Sequence, residues 1–144
     1  MRHSISLLCV LAMFVLAPVA FADEEAAITI EPGKWRFRST SKMPMSTQEQ
    51  KKDTIRCVKN GRMTPGEFLE DSPGCVLSNV KVSSSAMSFD MKCSHGGGTT
   101  LGSAEYRSEG KKLHGKVSMT MKHGGMSMAF DESVVGDHLG PCDD

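Results

Sequence analysis

The sequence predicts a mainly β protein: an antiparallel meander of about seven strands, curled into a barrel or half-barrel, with one short helix and two disulfides. Apolar and polar residues alternate from Pro32 onward, with the period of half-buried strands. Turns that carry glycine or serine separate the alternating segments. Because only one short segment has helix signals, little is available to cover the sheet. The sheet must therefore curl to bury its apolar face.

The first 22 residues have the composition of a signal peptide. Arg2 precedes an apolar stretch from Ile5 to Val19, and Ala20-Phe21-Ala22 then precedes an acidic run. The apolar stretch is shorter than the roughly 20 residues that span a bilayer. We therefore predict cleavage after Ala22, export to the periplasm and no transmembrane anchor.

Cleavage leaves 122 of the 144 residues, a length that suits one domain. We expect a flexible segment at residues 23–31, followed by a single monomeric β domain at residues 32–144. The mature charge is nearly balanced, with 16 basic and 17 acidic side chains. That balance argues against a nucleic-acid partner, because nucleic-acid binding usually demands a basic excess.

A hairpin is predicted around the loop Ser83-Ser84-Ser85-Ala86. Each flanking strand carries an apolar row on one face: Val76, Val80 and Val82, then Met87, Phe89, Met91 and Cys93. Pairing across the loop places Cys75 within one position of Cys93.

Four cysteines remain after cleavage, an even number for an oxidising compartment, so two disulfides are expected. The hairpin register pairs Cys75 with Cys93, which leaves Cys57 for Cys142. In the chain-entropy treatment, closing the shorter Cys75–Cys93 loop contributes at most about 3 kcal/mol to the free energy of unfolding. Closing the longer Cys57–Cys142 loop contributes at most about 4.6 kcal/mol. Free catalytic thiols are not expected.

The short helix begins at Thr64-Pro65-Gly66-Glu67, where a capping threonine precedes proline and is followed three residues later by glutamate. Ser72-Pro73-Gly74 ends it. Three more strands are predicted at about 99–107, 113–122 and 126–135. Small residues of the first of these lie opposite bulky residues of the second, as a curved sheet requires.

Methionine is frequent, with nine residues in the mature chain. The turn Lys122-His123-Gly124-Gly125 brings Phe130 and four methionines onto one face: Met119, Met121, Met126 and Met128. Methionine suits irregular gaps in a small core, or the lining of a site for a small apolar ligand. Alternatively, thioethers bind soft ions such as Cu(I) or Ag(I) without losing a proton.

Two His-Gly-Gly sequences, at His95 and His123, follow methionine-bearing strands. In a meander these loops lie at the same end of the sheet, about 10 Å apart. The candidate copper site therefore comprises seven residues: Met91, Met119, Met121, Met126, Met128, His95 and His123. The competing interpretation is ordinary turn chemistry, in which glycine supplies positive φ and histidine is solvated.

The first long strand carries cations at alternating positions: Lys34, Arg36, Arg38 and Lys42. Such cations usually keep an edge strand soluble and unpaired. The alternative is an anionic partner in the cell envelope, such as lipid headgroups.

Enzyme motifs are absent from the sequence, including Gly-x-Ser-x-Gly, His-Glu-x-x-His and a phosphate-binding loop, so a non-enzymatic protein without catalytic residues is expected.

A series of short motifs resembles a known family: Pro32-Gly33-Lys34-Trp35, Met43-Pro44-Met45, Cys57-Val58, Thr64-Pro65, Cys75, Met91-Lys92-Cys93, Met119-Thr120-Met121 and Gly140-Pro141-Cys142-Asp143. They resemble the exported proteobacterial family called domain of unknown function 3617, over nearly the whole mature chain. The resemblance implies export, a compact β domain and the cysteine framework, and it brings no activity.

Overall fold

The computed structural model describes residues 26–44, 46, 48–69 and 74–143. The predicted signal peptide and the predicted helix end at Ser72-Pro73 lie outside these residues. The described chain forms nine strands: β1 (Ile28–Thr29), β2 (Gly33–Lys42), β3 (Gln50–Val58), β4 (Arg62–Met63), β5 (Cys75–Val82), β6 (Ala86–His95), β7 (Gly98–Ser108), β8 (Lys112–His123) and β9 (Met126–Gly140). A single 3-10 turn, Gly66–Leu69, lies between β4 and β5.

Seven of these strands form one antiparallel sheet in the order β3-β2-β9-β8-β7-β6-β5, which confirms the predicted antiparallel sheet of seven strands. From β5 to β9 each strand pairs with the next, and β9 then pairs with β2. The edge strands β3 and β5 do not pair with each other, so a closed barrel is wrong. The sheet is nevertheless curved, because β3 and β6 contribute side chains to one cleft.

The chain before β2 is part of the core. Ile28 and Ile30 are buried, and Ile28 lies opposite Met63 in the β1–β4 pair. The Thr29 amide donates to Ser84 O at 2.8 Å, and the Ile30 amide donates to Gly61 O at 2.9 Å. The predicted flexible segment 23–31 is therefore wrong from Ile28 onward, because buried apolar side chains and backbone hydrogen bonds hold it.

The start of β2 is fixed around the buried Trp35. Its indole Nε1 donates to Glu31 O at 2.8 Å, and its ring meets the ring of His138 edge-on, with centroids 5.6 Å apart. His138 Nε2 lies 3.0 Å from Pro32 O. Gly33 has φ +142°, and a Cβ there would lie 2.4 Å from His138 Nε2, so only glycine suits this position.

The 3-10 turn follows the predicted capping pattern. The Thr64 amide donates to Glu67 Oε2 at 2.6 Å, and the Glu67 amide donates to Thr64 O at 3.2 Å. The turn presents Phe68 to the concave face of the sheet, where its ring stacks on Tyr106 with centroids 4.0 Å apart. Phe68 and Leu69 of this short segment pack against the buried core cluster.

Small residues lie opposite bulky ones between β7 and β8, as the sequence predicts. Gly102 pairs with Met119, and Tyr106 pairs with Gly115. A Cβ on Gly115 would lie 2.4 Å from Tyr106 Cε1, so the tyrosine ring occupies the space above that glycine. The ring thus crosses β8 toward β9.

The predicted valine face of β5 is wrong. A register shift between Ser78 and Lys81 places Asn79 and Val80 opposite a single residue of β6, and Asn79 has φ 51°. Val76 and Val80 are consequently exposed, whereas Val82 lies opposite the buried Met87. An inserted residue reverses side-chain parity, and alternation in the sequence does not reveal it.

Both disulfides are present with the predicted pairing, Cys57–Cys142 and Cys75–Cys93. Cys75 and Cys93 lie directly opposite each other in the β5–β6 pair. Cys57 lies in β3, and Cys142 follows the end of β9. The disulfides therefore hold the two edge strands of the open sheet.

Replacing Cys57 and Cys142 with alanine is expected to lower the free energy of unfolding more than replacing Cys75 and Cys93. The first disulfide closes 85 residues and the second 18. In the chain-entropy treatment the upper estimates are about 4.6 and about 3 kcal/mol. Urea unfolding followed by Trp35 fluorescence would measure both variants. A larger loss for the Cys75–Cys93 pair would contradict the expectation.

Candidate functional site

A cleft of about 560 Å³ lies on the concave face of the sheet. Six strands of the sheet and the 3-10 turn contribute to its lining. Much of its wall consists of aromatic and thioether side chains: Phe37, Phe68, Met91, Met119, Met121 and Phe130. The alternation predicted from the sequence thus generates the cleft, because every second residue of these strands points to the concave side.

Tyr106 and Glu132 are among the polar residues that line the cleft. Tyr106 is only 5% exposed, and neither its hydroxyl nor the carboxylate of Glu132 has a hydrogen-bond partner within the described parts of the chain. No enclosed side-chain oxygen or nitrogen among those residues lacks a partner, so the Tyr106 hydroxyl must open into the cleft. Burial raises the pKa of Tyr106, and the negative charge of Glu132 raises it further.

Sequence reasoning missed this pair. Glu132 shares the parity of Met128, Phe130 and Val134 along β9, so the sequence places a carboxylate within an apolar row. That interruption is the signal that could have indicated it. The proximity of Tyr106 to Glu132 is not readable from the sequence, because the two residues lie on β7 and β9 with β8 between them.

Further charges lie at the β3 side of the cleft. Lys52 and Arg56 belong to its lining, and Arg56 Nη1 donates to Glu67 O at 3.3 Å. The cleft therefore has a charged side formed by β3 and an apolar, methionine-rich side formed by β6 and β8.

By their exposure, six of the methionines form two sets. Met63, Met87 and Met91 are buried, at 3%, 2% and 6% exposure. Met121, Met126 and Met128 are exposed, at 45%, 74% and 46%. Methionine as core filler explains the first set and does not explain the second.

The exposed methionines belong to the tip of the β8–β9 hairpin. Met121 lies opposite Met128, and His123 lies opposite Met126, so all four share one face. The three methionines share a face as predicted, whereas His123 was expected in the turn and instead ends β8. We call these four residues the tip cluster. Of the other candidate ligands, Met91 is buried in the core and Met119 lies in the cleft, and neither belongs to this cluster.

His95 and His123 are separated by β7, as the meander predicts. His95 pairs with Gly98, and a Cβ on Gly98 would lie 3.1 Å from His123 Nδ1. His95 also lies beside a disulfide, since its ring nitrogen and the sulfurs of Cys75 and Cys93 lie within 4.8 Å of one another. Because those sulfurs are bonded to each other, they are not thiolate ligands.

The basic residues of β2 do not lie on an edge strand, because β2 pairs with both β3 and β9; the predicted edge position is wrong. Each of the four cations has an acidic partner: Lys34 with Asp143, Arg36 with Asp53, Arg38 with Asp137, and Lys42 with Glu49. Hydrogen bonds from Lys112 and Arg38 lower the pKa of Asp137. This charge balance gives the anionic-partner hypothesis no support.

A family model described as "Protein of unknown function (DUF3617)" matches residues 30–142. The matched range contains the whole seven-stranded sheet and all four cysteines of the two disulfides. Neither the comparison with curated proteins nor that with solved structures found a match. Within the described ranges, no helix is long and apolar enough to cross a membrane.

Tyr106 is the sole tyrosine, so phenolate absorbance reports it directly. Its folded-state pKa is raised, so its contribution to stability is complete below the ordinary value of about 10 and is lost as pH rises above that value. The folded protein should form less phenolate than the urea-unfolded chain at the same alkaline pH. Glu132→Gln should shift the titration toward lower pH. Identical titrations of folded and unfolded protein would contradict this.

Proposed function

The chain belongs to the family described as protein of unknown function (DUF3617), and we propose that it is a non-enzymatic periplasmic binding domain whose concave cleft holds a small, mainly apolar ligand. The periplasmic location rests on the signal peptide predicted from residues 1–22. The ligand carries one group that donates a hydrogen bond, such as a hydroxyl or an amine.

The size and lining of the cleft carry this proposal. A volume of about 560 Å³ lies within the roughly 300–1,000 Å³ typical of small-molecule sites. If the methionines and aromatic residues only filled a core, they would leave no such space. The flexible thioethers of Met91, Met119 and Met121 can adjust to ligands of different shape.

Tyr106 and Glu132 indicate which polar group the ligand carries. The Glu132 carboxylate accepts hydrogen bonds, and the Tyr106 hydroxyl both donates and accepts. Neither has a partner within the described chain. A hydroxyl or amine held between them would satisfy both groups, whereas a purely apolar molecule would leave them without partners.

The same pair favours binding over catalysis. A general acid or base works best when its pKa lies near the operating pH. Burial and the charge of Glu132 move the pKa of Tyr106 upward, away from neutrality. The phenol therefore remains a neutral hydrogen-bonding group under physiological conditions.

The cleft can be filled selectively by substitution. Thr100 lines it, whereas the next residue, Leu101, points to the opposite, convex face and is exposed. The oxidised mature protein should enhance the emission of N-phenyl-1-naphthylamine, a fluorescent apolar probe. Thr100→Trp should abolish most of this enhancement, because the indole takes up the cleft. Leu101→Trp introduces the same side chain on the other face and should leave the enhancement unchanged.

Equal enhancement by both tryptophan variants, or none by the wild type above that of the urea-unfolded chain, would show that the cleft does not bind the probe. Circular dichroism in the near ultraviolet would establish that both variants remain folded.

The polar pair is tested with two ligands of equal chain length. In displacement of the probe, 1-decanol should bind wild type more tightly than decane does. Tyr106→Phe should weaken the binding of 1-decanol by about two- to thirteen-fold, the equivalent of one neutral hydrogen bond. It should leave the binding of decane unchanged. Glu132→Gln retains an acceptor and should weaken 1-decanol less. Equal losses of affinity for 1-decanol and decane would indicate a packing role for the hydroxyl instead.

A further inference from the structure

The tip cluster of Met121, His123, Met126 and Met128 has no role in the core. Met126 is 74% exposed, more than any other large apolar side chain in the described ranges, and Met121 and Met128 are about half exposed. Three neighbouring thioethers at the end of a hairpin contribute little burial. Their grouping therefore calls for a different explanation from that of the buried methionines.

The hairpin register places four donor atoms on one small patch. Met121 and Met128 are directly opposite each other, as are His123 and Met126, and the two pairs are adjacent on the same face. Opposite side chains have Cβ atoms about 4.5–5.5 Å apart, and residues two apart along a strand are separated by about 6.6 Å. Side chains as long and flexible as methionine can converge on one ion from such positions.

We propose that the tip cluster binds one soft monovalent ion, Cu(I) or Ag(I), through the sulfur atoms of Met121, Met126 and Met128 and a ring nitrogen of His123. Thioethers prefer such ions and need lose no proton to bind them. The nearby cysteine sulfurs are bonded to each other in the disulfide, which leaves the thioethers as the soft donors of this part of the described chain.

The surrounding backbone leaves this patch open. Gly124 and Gly125 form the turn with positive φ, so β8 and β9 remain paired up to His123 and Met126. Gly98 lies beneath His123 and has no side chain, and a Cβ there would come within 3.1 Å of His123 Nδ1. Beyond Gly98, on the next strand, lies the exposed His95.

The ion site and the apolar cleft can be tested separately. Met121 lines the cleft, whereas His123, Met126 and Met128 do not. A variant with His123→Gln, Met126→Leu and Met128→Leu therefore removes three donors, conserves volume, and leaves the cleft lining intact. We call it the tip variant.

Ag(I) is the probe, because it needs no reductant and the disulfides stay intact. In chloride-free buffer, calorimetric titration of the oxidised mature protein should show one Ag(I) bound per chain. Loss of an outer-shell partner alone typically costs about 10–100-fold in metal affinity, so the tip variant should bind at least about 10-fold more weakly. It should retain its enhancement of N-phenyl-1-naphthylamine fluorescence.

A matched control replaces three buried methionines instead: Met63→Leu, Met87→Leu and Met91→Leu. This core variant should keep Ag(I) binding, since it retains the tip cluster. If near-ultraviolet circular dichroism shows that it does not fold, Met43→Leu replaces it as the control. The proposal is overturned if wild type does not bind Ag(I), if the tip variant binds as tightly as wild type, or if the folded control loses binding.

Discussion

The Tyr106 ring lies across Gly115, and much of the molecule depends on this contact. No other residue type fits at Gly115, because a Cβ would lie 2.4 Å from the ring. The ring provides the surface on which Phe68 stacks, so the 3-10 turn is held over the concave face. The hydroxyl at the far end of the same ring opens into the cleft near Glu132. The packing of the sheet, its cover and the polar end of the cleft thus share one tyrosine.

An open curved sheet has two exposed edges, and unpaired edges favour association with other chains. Here each edge strand carries one half of a disulfide: Cys57 in β3 and Cys75 in β5. The bulge at Asn79 further distorts the β5 edge, where the side-chain Nδ2 of Asn79 donates to Asp90 Oδ2 at 2.6 Å. Covalent attachment and local irregularity therefore act where barrel closure would otherwise have removed the edges.

Methionine serves two different purposes along the same strands. Toward the middle of the sheet its side chains are buried or line the cleft, where flexibility allows close packing around an irregular space. At the end of the β8–β9 hairpin the same residue type is exposed and grouped with a histidine. The ligand hypothesis therefore concerns the cleft and the metal hypothesis the hairpin tip, and Met121 is the residue that the two sites share.

The sequence by itself determined the alternating strands of the seven-stranded sheet, their turns and the Cys75–Cys93 pair, because alternation and short hairpin loops are local properties. The Cys57–Cys142 pair then followed by elimination. It also determined that Met119, Met121, Met126, Met128 and Phe130 share a face, since a hairpin register follows from its turn. Only the tertiary structure decided that the sheet stays open, since closure depends on twist summed over all seven strands. It likewise decided that the bulge turns Val76 and Val80 outward, that Ile28 and Ile30 enter the core, and that Tyr106 and Glu132 line one cleft, where the charge of Glu132 raises the pKa of Tyr106. Those features depend on contacts between distant segments, and a period of two along one strand holds no information about them.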